Sequence, residues 1–205
     1  MLALLPDSMQ DLLDAPPALT QILGDQGSGK TSLLLAMQRS FLEKGRRVTY
    51  EYLPLDAADY KTKLNQVDMF LLDEAQRLSA PALQRLLSHT MQTPESGLHL
   101  MLSTHADLSP HAARLGIPLR SVQLDGYSHR FLHELVEERV SYFERPGYKG
   151  TRLTTAALTL LTTHCGADLR ELERLLYEIY QAWDSEGPIT VEFVRGFLDI
   201  PAQGS

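Results

Sequence analysis

The chemistry of this chain is concentrated in one contiguous stretch: Gly24, Asp25, Gln26, Gly27, Ser28, Gly29, Lys30, Thr31 and Ser32. Its first eight positions fit the spacing G-x-x-x-x-G-K-[ST], in which glycines let backbone N–H groups turn inward around a phosphate. Lys30 would reach the β- and γ-phosphates, and the Thr31 hydroxyl would hold Mg²⁺. The same residues could instead make a helix-capping loop with a solvated lysine. The apolar strand before them and the helix pattern after them favour the cradle, because a helix N-terminus adds its positive dipole end at the same place. A triphosphate–Mg²⁺ complex also needs a carboxylate near the metal and a group that orients water. Met69-Phe70-Leu71-Leu72 followed by Asp73 and Glu74 offers both at the end of an apolar run. Asp73 is the candidate for Mg²⁺, through water, and Glu74 for orienting the attacking water.

These groups need a scaffold. Ala18–Leu23 reads as a strand, and 31–44 as a helix carrying Leu34, Leu35, Met37, Phe41 and Leu42, ended by Gly45. Arg47–Tyr52 alternates as a strand does. The continuous run Met69–Leu72 marks a strand buried on both faces. Ser79 caps a helix carrying Leu83, Leu86, Leu87 and Met91. Leu98–Leu102 and Ser121–Leu124 complete the strands, and Ser8–Leu13 reads as a short helix. Strands alternating with helices predict an α/β fold, a parallel sheet flanked by helices. After Tyr127 the character changes. Residues 128–143, 154–164, 168–183 and 191–198 all read as helices, with Leu169, Leu172, Leu176, Ile179 and Trp183 forming an apolar stripe. The expected division is an α/β core over 1–127 and a small all-helical part over 128–205, with 144–150 a loop and 201–205 a frayed tail.

With the glycine loop and the Asp73-Glu74 pair together, the chain resembles the AAA+ P-loop ATPases. That resemblance implies ATP and ADP as ligands, Mg²⁺ as cofactor, ATP hydrolysis, and a C-terminal helical lid. It casts Lys30 and Glu74 as catalytic groups. Ser103-Thr104-His105, after the fourth strand, is similar to the family's first sensor, with Thr104 and His105 both candidates. Gly166-Ala167-Asp168-Leu169-Arg170-Glu171 is similar to its second, with Arg170 in the first turn of a helix and Asp168 and Glu171 at capping-box spacing. Compact AAA+ proteins of transposition, secretion or origin recognition are the nearest in character. An arginine supplied to a neighbouring copy would be Arg114 or Arg120.

Composition bounds the partners. Charged residues number 19 basic and 26 acidic, a formal net charge of −7. Nucleic acid is therefore possible but not favoured, since phosphate contacts need Lys and Arg. The cluster Arg39, Lys44, Arg46, Arg47, Lys61 and Lys63 is the local exception. A protein partner or a second copy of the chain is expected instead. The single Cys165 excludes an internal disulfide, which predicts a cytoplasmic protein. No stretch approaches the ~18 apolar residues of a membrane span, and no leader is expected.

Overall fold

The computed structural model describes residues 11–12, 18–92, 97–124, 127–143 and 150–198. The expected helix at Ser8–Leu13 lies outside them except for residues 11–12, which are helical. The 144–149 loop, the 201–205 tail and the Met91 side chain also lie outside.

The chain divides into two compact units, Leu2–Leu124 and Asp125–Ser205. The first contains strands β1 (Leu19–Gly24), β2 (Val48–Tyr52), β3 (Met69–Asp73), β4 (His99–Thr104) and β5 (Arg120–Leu124). Its helices are α1 (Lys30–Glu43), α2 (Ala80–Gln92) and α3 (Ser109–Arg114). The strands form one sheet in the order β2-β3-β4-β1-β5, and every neighbouring pair is parallel. A parallel sheet gathers all strand C-termini at one edge, where ligands of open α/β sheets bind.

Side chains on β3 explain why that strand reads as an unbroken apolar run. Phe70 and Leu72 enter one core cluster with Leu83, Leu86 and Leu87 of α2. Met69 and Leu71 enter a second cluster on the other face, with Leu33, Leu34, Met37 and Phe41 of α1. Each fully buried side chain of this kind contributes about 1.5–3 kcal/mol. That makes the sheet a rigid base for whatever hangs from its edge. Leu35 and Leu42, expected on the inner face of α1, are instead 44% and 51% exposed. Helical phase turns Leu33 and Ala36 inward in their place.

Two further differences are local. β4 runs on through Ser103 and Thr104, because both pair within the parallel ladder to Ile22 and Leu23. The helix α3 was not expected, since six residues are too few to show a period.

The second unit contains α4 (His129–Phe143), α5 (Thr155–Cys165), α6 (Leu169–Ala182) and α7 (Val191–Leu198). Thr154 caps α5, its hydroxyl accepting from the Ala157 N–H at 3.2 Å. Leu172, Leu175, Leu176 and Ile179 are buried on α6, and Leu169 and Trp183 pack partly against the same cluster. Tyr180 donates to the Thr151 carbonyl at 3.2 Å, whereas Tyr177, expected beside it in the core, is 68% exposed.

Candidate functional site

β1 ends at Gly24, and the chain passes into a tight loop before α1. The close approach at Gly24 requires a glycine. A Cβ there would lie 2.9 Å from the Leu124 carbonyl oxygen and 3.1 Å from the Leu124 Cβ on the neighbouring strand. Gly27 (φ 88°) and Gly29 (φ 82°) take left-handed conformations, which glycine adopts without steric cost. They turn the backbone so that α1 begins at Lys30, with the Leu33 N–H donating to the Gly29 carbonyl at 2.9 Å. Asp25 and Gln26 are exposed at the tip, as are Thr31 and Ser32. Ser28 is buried beneath them.

Lys30 is buried too, and its ammonium donates to the Gly24 and Asp25 carbonyls at 2.7 Å each. An ammonium has three donors, so one remains to meet an anion in the loop. Burial lowers the Lys30 pKa from its ordinary value, against the opposing pull of Glu74, Asp73 and Asp25. A cation desolvated in this way gains much from an incoming anion.

At the end of β3, Asp73 is fully buried. Its Oδ2 accepts from Thr31 Oγ1 at 2.6 Å and from the Tyr50 hydroxyl at 3.0 Å. Its Oδ1 accepts from the Glu74 N–H at 3.1 Å and from the Ser103 hydroxyl. Residues far apart in sequence thus meet on one carboxylate. Tyr50 is held protonated, its pKa raised first by burial and then by the adjacent Asp73.

Glu74 (φ 64°, ψ 39°) is the one non-glycine residue with positive φ among the described residues. Such a conformation costs on the order of 1–3 kcal/mol and is commonly kept for function. Its Oε2 accepts from Gln76 Nε2 at 2.7 Å and pairs with Arg77 at 2.8 Å. Arg77 in turn donates to the Leu53 carbonyl at 2.6 Å and the Tyr52 hydroxyl at 2.9 Å.

Of the two sensor candidates, His105 is the one that faces the acids. Its Nε2 lies 3.9 Å from Glu74 Oε1, and its N–H donates to Gln76 Oε1 at 3.3 Å. The Thr104 hydroxyl is used within its own turn, donating to the Ala106 carbonyl at 2.8 Å and accepting from the Ala106 N–H at 3.0 Å. Arg170 belongs to the other unit. It sits in the first turn of α6 with its side chain exposed, and Asp168 Oδ1 accepts from the N–H groups of Arg170 and Glu171 at 3.0 Å. The reciprocal half of the capping box is not made, because the Glu171 carboxylate pairs with Arg174 at 2.6 Å. Arg114 ends α3 and is exposed; Arg120 opens β5, 3.9 Å from Asp11.

Four residues at this site escaped the sequence reading: Tyr50, Gln76, Arg77 and Ser103. Three carried a signal, since Gln76 and Arg77 lie two and three residues after Glu74 and Ser103 precedes Thr104. Tyr50 carried none.

Mg²⁺ fits the residues present. Thr31 donates its proton to Asp73, so its oxygen lone pairs remain available to a hard cation. No group of three or more His, Cys, Asp or Glu residues suited to a metal occurs among the described residues.

No family model matches the chain. A protein of Haemophilus influenzae described as uncharacterized is 27% identical over 189 residues, 87% of this chain and 80% of its own length. Among solved structures, the replication initiator DnaA bound to AMPPCP and single-stranded DNA superposes with TM-score 0.59 at 18% identity, over 85% of this chain. A RuvB variant from Thermotoga maritima gives TM-score 0.64 at 16% identity over 92% of this chain. NtrX from Brucella abortus in complex with ADP gives 0.61 at 15% over 98%. This chain spans 59%, 65% and 58% of the lengths of those three solved chains. At such identities the likeness is one of fold.

Proposed function

We propose that this chain, whose fold is that of the AAA+ P-loop ATPases, binds ATP and ADP with Mg²⁺ at Gly24–Ser32 and hydrolyses ATP. The observation that carries the reading is the 2.6 Å hydrogen bond from Thr31 to Asp73. It joins the phosphate-loop helix to the acidic strand end and leaves the threonine oxygen ready for a cation. Bound Mg²⁺ would supply charge neutralisation on the β- and γ-phosphates, with Thr31 and Asp73 as its protein groups. The loop N–H groups and the α1 N-terminus hold the phosphates, and Lys30 offsets the charge that develops between them. Glu74 orients the attacking water and takes its proton, with His105 beside it. Arg170 and the helical unit report the nucleotide state, as the family resemblance implies, and Arg114 or Arg120 would be the arginine that serves a neighbouring copy.

Replacing Glu74 by Gln tests the assignment. Turnover should fall by about 10²–10⁴-fold, the usual contribution of a positioned base, while nucleotide affinity stays as it was. A Glu74→Gln protein that hydrolyses ATP at the native rate removes Glu74 from the role.

One observation favours a second reading. Glu74 Oε2 is already engaged by Gln76 and Arg77, which suits a nucleotide-binding switch that hydrolyses negligibly and acts by recruiting a partner protein. Turnover that stays negligible with candidate partners present would select it. Nucleic acid is the less favoured partner. Within the basic cluster, Arg39 is paired to Glu43 at 3.0 Å and Arg47 to Asp68 at 2.6 Å. No helix among the described residues is long and apolar enough to cross a membrane, and we assign the protein to a reducing cytoplasm on its lone, buried Cys165.

A further inference from the structure

Asp73 is the most heavily used acceptor at the site. A carboxylate offers about four lone-pair positions on its two oxygens, and four donors take them. Ser103 and the Glu74 N–H hold Oδ1, and Thr31 and Tyr50 hold Oδ2. Asp73 is 0% exposed, so solvent adds nothing. A hydrated divalent cation beside Thr31 needs an acceptor position on the same Oδ2, and none is open.

One of the two donors on Oδ2 must therefore yield. Thr31 can keep donating while its oxygen meets a cation, since a hydroxyl has two lone pairs beside its one proton. The donors on Oδ1 hold the other oxygen, and the Glu74 N–H is fixed by the backbone. Tyr50 is the remaining donor. It stands on β2, an edge strand of the sheet. Rotation about its C–O bond turns its proton away from Oδ2 and leaves its oxygen an acceptor.

We propose that the Tyr50 hydroxyl competes with the divalent cation for Asp73 Oδ2, satisfying that buried oxygen when no cation is present and setting how tightly Mg²⁺–nucleotide binds. Tyr50 is thus a positioning residue for the cation site, and the inference rests on the nucleotide reading above. Its purpose is physical. A buried carboxylate left with an empty lone pair is costly, and Tyr50 removes that cost in the cation-free protein at the expense of cation affinity.

The test is a titration of ADP carrying a fluorescent N-methylanthraniloyl group, in EDTA and in Mg²⁺, with the native protein, Tyr50→Phe and Ser103→Ala. The phenylalanine keeps the ring and its packing. Affinity in EDTA should stay within about twofold for Tyr50→Phe, while the tightening produced by Mg²⁺ should grow by about tenfold, the scale of one hydrogen bond to a charged group that no longer has to be displaced. Ser103→Ala frees the other oxygen and should not enlarge the Mg²⁺ effect. An unchanged or smaller Mg²⁺ effect in Tyr50→Phe overturns the proposal, as does an equal gain in Ser103→Ala. If the native protein tightens with Mg²⁺ and Tyr50→Phe merely matches it, the nucleotide reading stands and the competition alone fails. A native protein that binds the probe in neither buffer overturns both.

Discussion

Replacing Asp73 by Asn separates the folding role of this carboxylate from its role toward a cation. The amide offers two lone pairs on its oxygen and two N–H donors on its nitrogen. The Glu74 N–H is a backbone donor and cannot reverse, so the amide oxygen must stay at the Oδ1 position beside Glu74 and Ser103. The amide nitrogen then faces Thr31 and Tyr50, and both hydroxyls can rotate to accept. All four contacts survive, two of them with direction reversed. Each loses its charge assistance, a change of about 1 kcal/mol per bond. The relief from burying an ion, several kcal/mol, offsets much of that. Net stability should stay within about 2 kcal/mol of native in urea denaturation. Function should not survive in the same way. The Thr31 oxygen now accepts from the amide, so a lone pair meant for a cation is spent. ADP should bind in EDTA with affinity within about threefold of native, while the Mg²⁺-dependent tightening disappears. An Asp73→Asn protein with the native Mg²⁺ effect, or one destabilised by more than about 4 kcal/mol, refutes the donor-reversal argument.

Gly24→Ala places a Cβ 2.9 Å from the Leu124 carbonyl oxygen, a backbone atom that cannot swing aside. Overpacking of this kind costs about 1–3 kcal/mol, so a lower melting temperature and weaker ADP binding are expected; a native melting curve would mean the strands are not so close. Cys165 has its thiol pKa pushed up to about 12, by burial first and then by Glu171 and Asp168. The fold favours the neutral thiol, so this group's stabilisation is complete below the unfolded thiol's pKa of about 8.5 and is lost as pH rises toward 12. Iodoacetamide at pH 8 should therefore label Cys165 only when urea is added, and fast labelling of the native protein would contradict the burial.

The glycine loop and the Asp73-Glu74 pair were legible because their chemistry is contiguous. A cradle is built from neighbours, and its lysine and threonine follow within the same turn. The two-sided burial of β3 was legible for a similar reason, since an unbroken apolar run has no solvent face. What stayed hidden depends on sheet order. Tyr50 meets Asp73 because β2 lies beside β3 in the register Tyr50 to Leu71, and no local pattern states which strands are neighbours. Gln21 shows the same limit. It sits fully buried in β1, within a run that read as a plain strand. Its amide accepts from the Leu108 N–H at 2.8 Å and donates to Asp107 and Ser121 at 2.7 Å each. Those partners, 86 to 100 residues away, pin the turn that follows Thr104 and His105. At Glu171 the spacing was right and the outcome was not, because Arg174 offered a charged partner one turn along.

Isothermal titration of ADP with Mg²⁺ into the native protein and into Lys30→Ala tests the central claim most directly. A single saturable site with Kd well below about 1 mM, weakened at least about tenfold by loss of the ammonium, is what a phosphate cradle at Gly24–Thr31 requires. No heat up to millimolar nucleotide, or equal affinity in the two proteins, would contradict it.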